Sequence, residues 1–192
     1  MGEGYLTREE GEFLVRLARR TIEEALDHPP SYPAEPPPSA RLQEPGAAFV
    51  TLSTRAGALR GCIGSLIARR PLIEDVRANA LAAAFEDPRF PQLTRPELSD
   101  IVVEISVLTE PIPLTYDSPQ DLIRKLRPGI DGVIIERGWH RATFLPQVWD
   151  QLPRTEEFLG HLCYKAGLSA NAWREGDLKV SRYQVQKFEE GA

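Results

Sequence analysis

The spacing of apolar and polar positions divides this chain into helices and paired strands. In "TREEGEFLVRLARRTIEEALDH", Phe13, Leu14, Leu17, Ala18, Ile22 and Leu26 recur at helical intervals. Thr7 precedes them as an N-cap and Glu10 follows three residues on, the capping-box arrangement. A helix over 7–28 is predicted, with its Arg and Glu residues on a solvated face. At "AFVTLST" the period drops to two, and "LRGCIGSL" returns after the turn "RAG", which predicts a hairpin. "PLIEDVRANALAAAFED" reverts to helical spacing with Pro71 at its first turn, and Pro88, Pro91 and Pro96 end it. "DIVVEISVLTEPIPL" is the clearest strand: Ile101, Val103, Ile105 and Val107 point one way, Val102, Glu104, Ser106 and Leu108 the other. "SPQDLIRKL" reads as a short helix capped by Ser118, "DGVIIERGWHRATFLP" as a second hairpin around "RGWH", and "PQVWDQL" and "TEEFLGHLCYKAGL" as helices. "LKVSRYQVQKF" reads as one closing strand. Strands paired in hairpins, with helices between and around them, predict an α+β fold with antiparallel or mixed sheet.

Between the first helix and the first hairpin the pattern stops. Seven of residues 29–46 are proline, which fixes φ and removes backbone donors. An extended arm over 29–45 is expected, outside the core and dispensable to it. The α+β body then runs from 46 to 188 within a single domain. The net charge of −5, with no basic stripe, argues against a nucleic-acid partner. No apolar run approaches the roughly 20 residues that span a bilayer. The acidic, polar N-terminal stretch does not read as a signal peptide, so a cytoplasmic protein is expected. Cys62 and Cys163 are therefore expected to be free thiols. Neither they nor His28, His140 and His161 show a zinc-site spacing, and no nucleotide-binding motif is present, so no metal or cofactor is expected.

The stretch "ALRGCIGSL" carries the candidate chemistry. Strand alternation places Arg60, Cys62 and Gly64 on one face, opposite Leu59, Gly61 and Ile63. Gly64 leaves one side of the thiol bare, and Arg60 favours a thiolate. On one reading Cys62 is a nucleophile that needs a base, for which His161 is a better candidate than His140. On the other, Arg60 binds Glu104 across the ladder, Gly61, Gly64 and Ser106 make room for the pair, and Cys62 is a filler. The second reading leads, because the sequence shows no base partnered to the thiol. Arg89, in the rigid loop "EDPRFPQLT", is either a clamp for a carboxylate or phosphate or a cap on a helix end with Phe90 plugging the core. Thr143 either lines a cleft or fills a strand position. Trp149 and Cys163 read as core residues.

"LRGCIGSL", "AAAFEDPRFPQLTRPEL", "VEISVLT" and "RATFLPQVWDQLPRTEEFLGHLCYKAGL" resemble the hallmark blocks of the AMMECR family, whose prokaryotic members are called AmmeMemoRadiSam system protein A. The resemblance runs from about residue 7 to residue 188. Ser65 stands where typical members have Thr, which keeps the hydroxyl. The resemblance implies an α+β fold of two unequal subdomains with a cleft between them. It also implies association with a Memo-like protein and a radical S-adenosylmethionine protein, and it supplies no reaction. The function expected is a small-molecule-binding or partner-binding module, with Arg60, Gly61, Gly64, Ser65, Arg89, Glu104, Ser106 and Thr143 as candidate contacts. The alternative is an enzyme using Cys62, with His161, on a small anionic or carbonyl-containing metabolite.

Overall fold

The two hairpins seed two separate sheets. The computed structural model describes residues 5–191, which divide into a first unit of 5–108 with 186–191 and a second of 109–185. The described elements run α1 (Arg8–Ala25), β1 (Pro45–Gly46), β2 (Ala48–Thr54), β3 (Leu59–Gly64), β4 (Arg70–Pro71), α2 (Leu72–Phe85), β5 (Ile101–Leu108), β6 (Ile112–Pro113), α3 (Pro119–Lys125), β7 (Gly132–Arg137), β8 (His140–Phe144), α4 (Thr155–Lys165), β9 (Lys179–Tyr183) and β10 (Val185–Glu189). No helix among the described residues is long and apolar enough to cross a membrane. The pattern-based expectation of an α+β fold with antiparallel pairing holds.

In the first unit the strand order is β10-β5-β2-β3, with β2 antiparallel to both of its neighbours. One sheet face, carrying Val50, Leu52, Val103 and Ile105, is fully buried against α1 and α2. Small residues on α2 (Ala80, Ala83 and Ala84) let that helix lie close to the strands. The capping box at Thr7 and Glu10 forms as read. The solvated face assigned to α1 does not hold throughout, because Arg19 and Glu23 are buried. Arg19 donates to the carbonyls of Leu98 (3.0 Å) and Ile101 (2.7 Å) and to the Glu190 carboxylate, so it ties the helix to the end of β5. A buried cation is tolerated where carbonyls and a carboxylate replace its water.

The proline arm is docked, contrary to expectation. Glu23 accepts hydrogen bonds from the Ser31 amide and hydroxyl, both at 2.7 Å. Arg16 pairs with Glu35 at 3.0 Å, and Leu42, on a 3-10 turn within the arm, is fully buried in the core. Proline density forbids regular structure but does not prevent side-chain anchoring, and the anchors are ordinary Ser, Glu and Leu residues that carry no pattern.

The second unit has the strand order β6-β9-β7-β8 over a core that includes Leu122, Ile135, Trp149, Phe158 and Leu162. Trp149 stacks on Phe158 with ring centroids 3.6 Å apart, and its indole N–H donates to the Asp131 carbonyl. Cys163 is buried there as read, and burial pushes its thiol pKa up. Two expectations need correction. "PQVWD" is a 3-10 turn, and the closing segment is two strands, β9 and β10, which join different sheets. A continuous apolar-polar alternation across Gln184 hides that change of partner.

Candidate functional site

The β3 strand lies at an edge of its sheet, beside β2 alone. Its register against β2 shifts between Leu52 and Ser53, so Leu52 faces Gly61, Ser53 faces Leu59, and Arg60 falls on the irregularity. Such a bulge re-aims side chains. Arg60 does not reach Glu104, as strand parity suggested, but pairs with Glu97 through Nε at 2.8 Å. Glu97 also accepts from the Thr94 amide and hydroxyl. Its carboxyl pKa is held down at about 2, first by the hydrogen bond from Arg60, with further hydrogen bonds from Thr94. The buried Arg60 Nη1 has no hydrogen-bond partner among the described residues, and the guanidinium lies 6.0 Å from the centre of the Phe90 ring. An aromatic face at that distance offsets part of the lost hydration of a cation.

An edge strand presents unpaired amide and carbonyl groups. Here a side-chain ion pair covers them. Cys62 N–H donates to Asp87 Oδ2 at 2.9 Å, and the Cys62 carbonyl accepts from Arg89 Nη2 at 3.3 Å. Arg89 in turn donates to both Asp87 oxygens, at 2.7 and 2.9 Å. The pair thus imitates the peptide group of a neighbouring strand. The Arg89 guanidinium holds the buried Asp87 carboxyl far below the usual carboxylate range, with the Cys62 and Arg89 amides adding to the effect. Arg89 is therefore the clasp of the motif strand. Phe90 sits between it and Arg60, with Arg89 Cζ 5.5 Å from the ring centre.

The glycines answer to steric demands. A Cβ on Gly61 would stand 2.1 Å from the Ala83 carbonyl oxygen of α2, and one on Gly64 would stand 2.2 Å from the Phe49 ring. Gly61 admits the helix backbone, and Gly64 lets Phe49 lie across the strand. Ser65 donates at 2.7 Å to the buried Asp75, which also accepts from the Ala48 amide, Arg70 and Asn79. That hub pins α2 to the hairpin. Ser106 donates to Glu104 at 3.2 Å.

Four polar side chains form a row across the sheet face that alternates with the core. Cys62 pairs in register with Thr51, Thr51 with Glu104, and Glu104 meets Lys187 of β10 at 3.4 Å. The Thr51 hydroxyl lies 3.3 Å from Cys62 Sγ and donates to it. The thiol is half-buried. The first unit's histidine, His28, lies with Nδ1 2.8 Å from the Pro29 carbonyl. His161 is exposed on α4 of the second unit, and Thr143 there is hydrogen-bonded to the Tyr183 hydroxyl at 2.9 Å. Burial pushes the Tyr183 phenol pKa up to about 12. No group of three or more His, Cys, Asp or Glu residues able to hold a metal occurs among the described residues.

Sequence reasoning missed Asp87, Glu97, Thr51 and Lys187. Glu97 had a signal, the Thr94-x-x-Glu97 spacing of a capping box, which forms at the start of a 3-10 turn over Arg95–Ser99. Asp87 had a weaker one, an Asp immediately after a helix and before a proline.

The family model described as AMMECR1 matches residues 15–188, which takes in the clasp, the row and the hub. The chain belongs to the AMMECR1 family. A relative from Thermofilum pendens is 47% identical, over 97% of this chain and 92% of its own length. Another, from Methanothermobacter thermautotrophicus, is 44% identical over 96% of each chain. The crystal structure of an uncharacterized protein from Pyrococcus horikoshii superposes with a TM-score of 0.79 at 41% identity, covering 97% of this chain and 94% of that one.

Proposed function

We propose that this AMMECR1-family protein is a binding module and that the row Cys62, Thr51, Glu104 and Lys187 is its recognition surface. The observation that carries the reading is the row itself: a thiol, a hydroxyl, a carboxylate and an ammonium aligned across the face. The charged groups nearest the motif are already engaged in holding β3, Arg60 by Glu97 and Asp87 by Arg89. The partners implied by the family resemblance are a Memo-like protein and a radical S-adenosylmethionine protein.

A second reading keeps Cys62 as a nucleophile on a small anionic or carbonyl-containing metabolite. One observation favours it: Arg89 Nη2 donates to the Cys62 carbonyl at 3.3 Å, which brings a cation to the residue that carries the thiol. The cation would then be Arg89, where the sequence suggested Arg60. His161, the base that the sequence suggested, belongs to the second unit.

Alkylation by N-ethylmaleimide, mapped by mass spectrometry, tests the binding reading. Cys62 is expected to react in the free protein and to be protected once a Memo-like protein is added, while Cys163 stays unmodified in both samples. Equal modification of Cys62 with and without that partner would overturn the assignment of the row.

A further inference from the structure

Away from the Cys62 row, the first unit has an open pocket of about 220 Å³ lined by α1, α2 and the docked proline arm. Its apolar wall comes from Phe13 and Leu17 of α1 and from Pro33 and Ala34 of the arm. Its polar wall holds Arg16, Arg20 and Arg77 against Glu24 and Glu35, one positive charge in excess on a chain whose net charge is −5. Arg16 spends Nη2 on Glu35 and Arg20 spends Nε on Glu24. Arg16 Nε is buried without a hydrogen-bond partner among the described residues. Arg77, exposed on α2, has no ion pair among them.

This combination has a chemical meaning. An unpaired guanidinium calls for an anion, and its planar fork fits a carboxylate through two parallel hydrogen bonds. An apolar wall beside such donors takes hydrocarbon and fixes which end of a ligand enters. A dry cavity of about 150 Å³ holds a benzene ring, so this one has room for a ring and a carboxylate.

We infer that the pocket between α1, α2 and the proline arm is a binding site for a small organic carboxylate whose single ring or branched chain lies on Phe13, Leu17, Pro33 and Ala34. The carboxylate faces Arg77. The arm is one wall of the site, which gives a reason for docking a segment that forms no regular structure over most of its length. The site is independent of the Cys62 row, and each stands or falls without the other.

The test is an NMR titration of the full chain with benzoate, benzyl alcohol and acetate. Benzoate should bind saturably and shift amides of α1 and residues 32–36. Benzyl alcohol lacks the charge and acetate lacks the ring, so each should bind about tenfold more weakly or worse. Arg77→Ala removes an exposed, unpaired side chain and leaves the fold intact, and it should weaken benzoate by about tenfold. Ala34→Phe fills the apolar wall and should abolish binding. Absence of saturable benzoate binding, equal affinity for benzyl alcohol or acetate, or full benzoate affinity in Arg77→Ala would each overturn the inference.

Discussion

Asp87→Ala is expected to destabilise the protein by about 2–4 kcal/mol in urea unfolding, although Asp87 lies in a loop, just before Pro88. The cost has two sources. The Cys62 amide loses its acceptor at 2.9 Å, and Arg89 loses both oxygens that hold it over the strand edge. An ordinary exposed ion pair is worth less than about 1 kcal/mol, so a loss that small would show that the clasp does not support β3. The same residue predicts an acid dependence. The folded Asp87 carboxyl titrates below its unfolded value, chiefly because Arg89 donates to it. Its contribution is therefore complete above the unfolded pKa near 4 and is lost as the pH falls below that value. Glu97, lowered to about 2 by Arg60, adds loss in the same direction. Stability should fall with pH below about 4, and Asp87→Asn should show a shallower fall than the wild type.

Gly61→Val is expected to cost about 3 kcal/mol or more, at the upper end of what overpacking exacts. A Cβ at this position would lie 2.1 Å from the Ala83 carbonyl oxygen. That atom belongs to a helix backbone and cannot rotate aside as a side chain can. Relief requires β3 and α2 to separate, which would also strain the Asp75 hub that joins them. Chemical denaturation and the crystal structure of the variant would check this. A variant as stable as the wild type, with α2 unmoved, would contradict it.

How much of this was legible in the sequence can be argued from the same residues. The capping box at Thr7, the alternation of Ile101 to Val107 and the burial of Cys163 depend on local period and composition, and they formed as read. The glycines of the motif correctly signalled close approach, but not what approaches: α2 at Gly61 and Phe49 at Gly64. The pairing of Arg60 was misread because strand parity assumes an unbroken register, and the shift at Leu52 and Ser53 breaks it. Asp87 was passed over because its role depends on a loop folding back 25 residues to an edge strand. No spacing rule encodes that return. The polar row was half visible, since Cys62 and Glu104 were candidates while Thr51 and Lys187 join them only through strand order.

The central claim is that the Cys62 row recognises a partner by its shape and charge and not by thiol chemistry. The measurement that tests it most directly is the affinity of a Memo-like protein for the wild type, Cys62→Ser and Lys187→Glu, compared by sedimentation or calorimetry. Lys187 is exposed beside Glu104, and reversing its charge sets two carboxylates against each other on the face. Cys62→Ser should bind as the wild type does, and Lys187→Glu should bind about tenfold more weakly or worse. No association of the wild type, or loss on Cys62→Ser with Lys187→Glu unaffected, would contradict the claim.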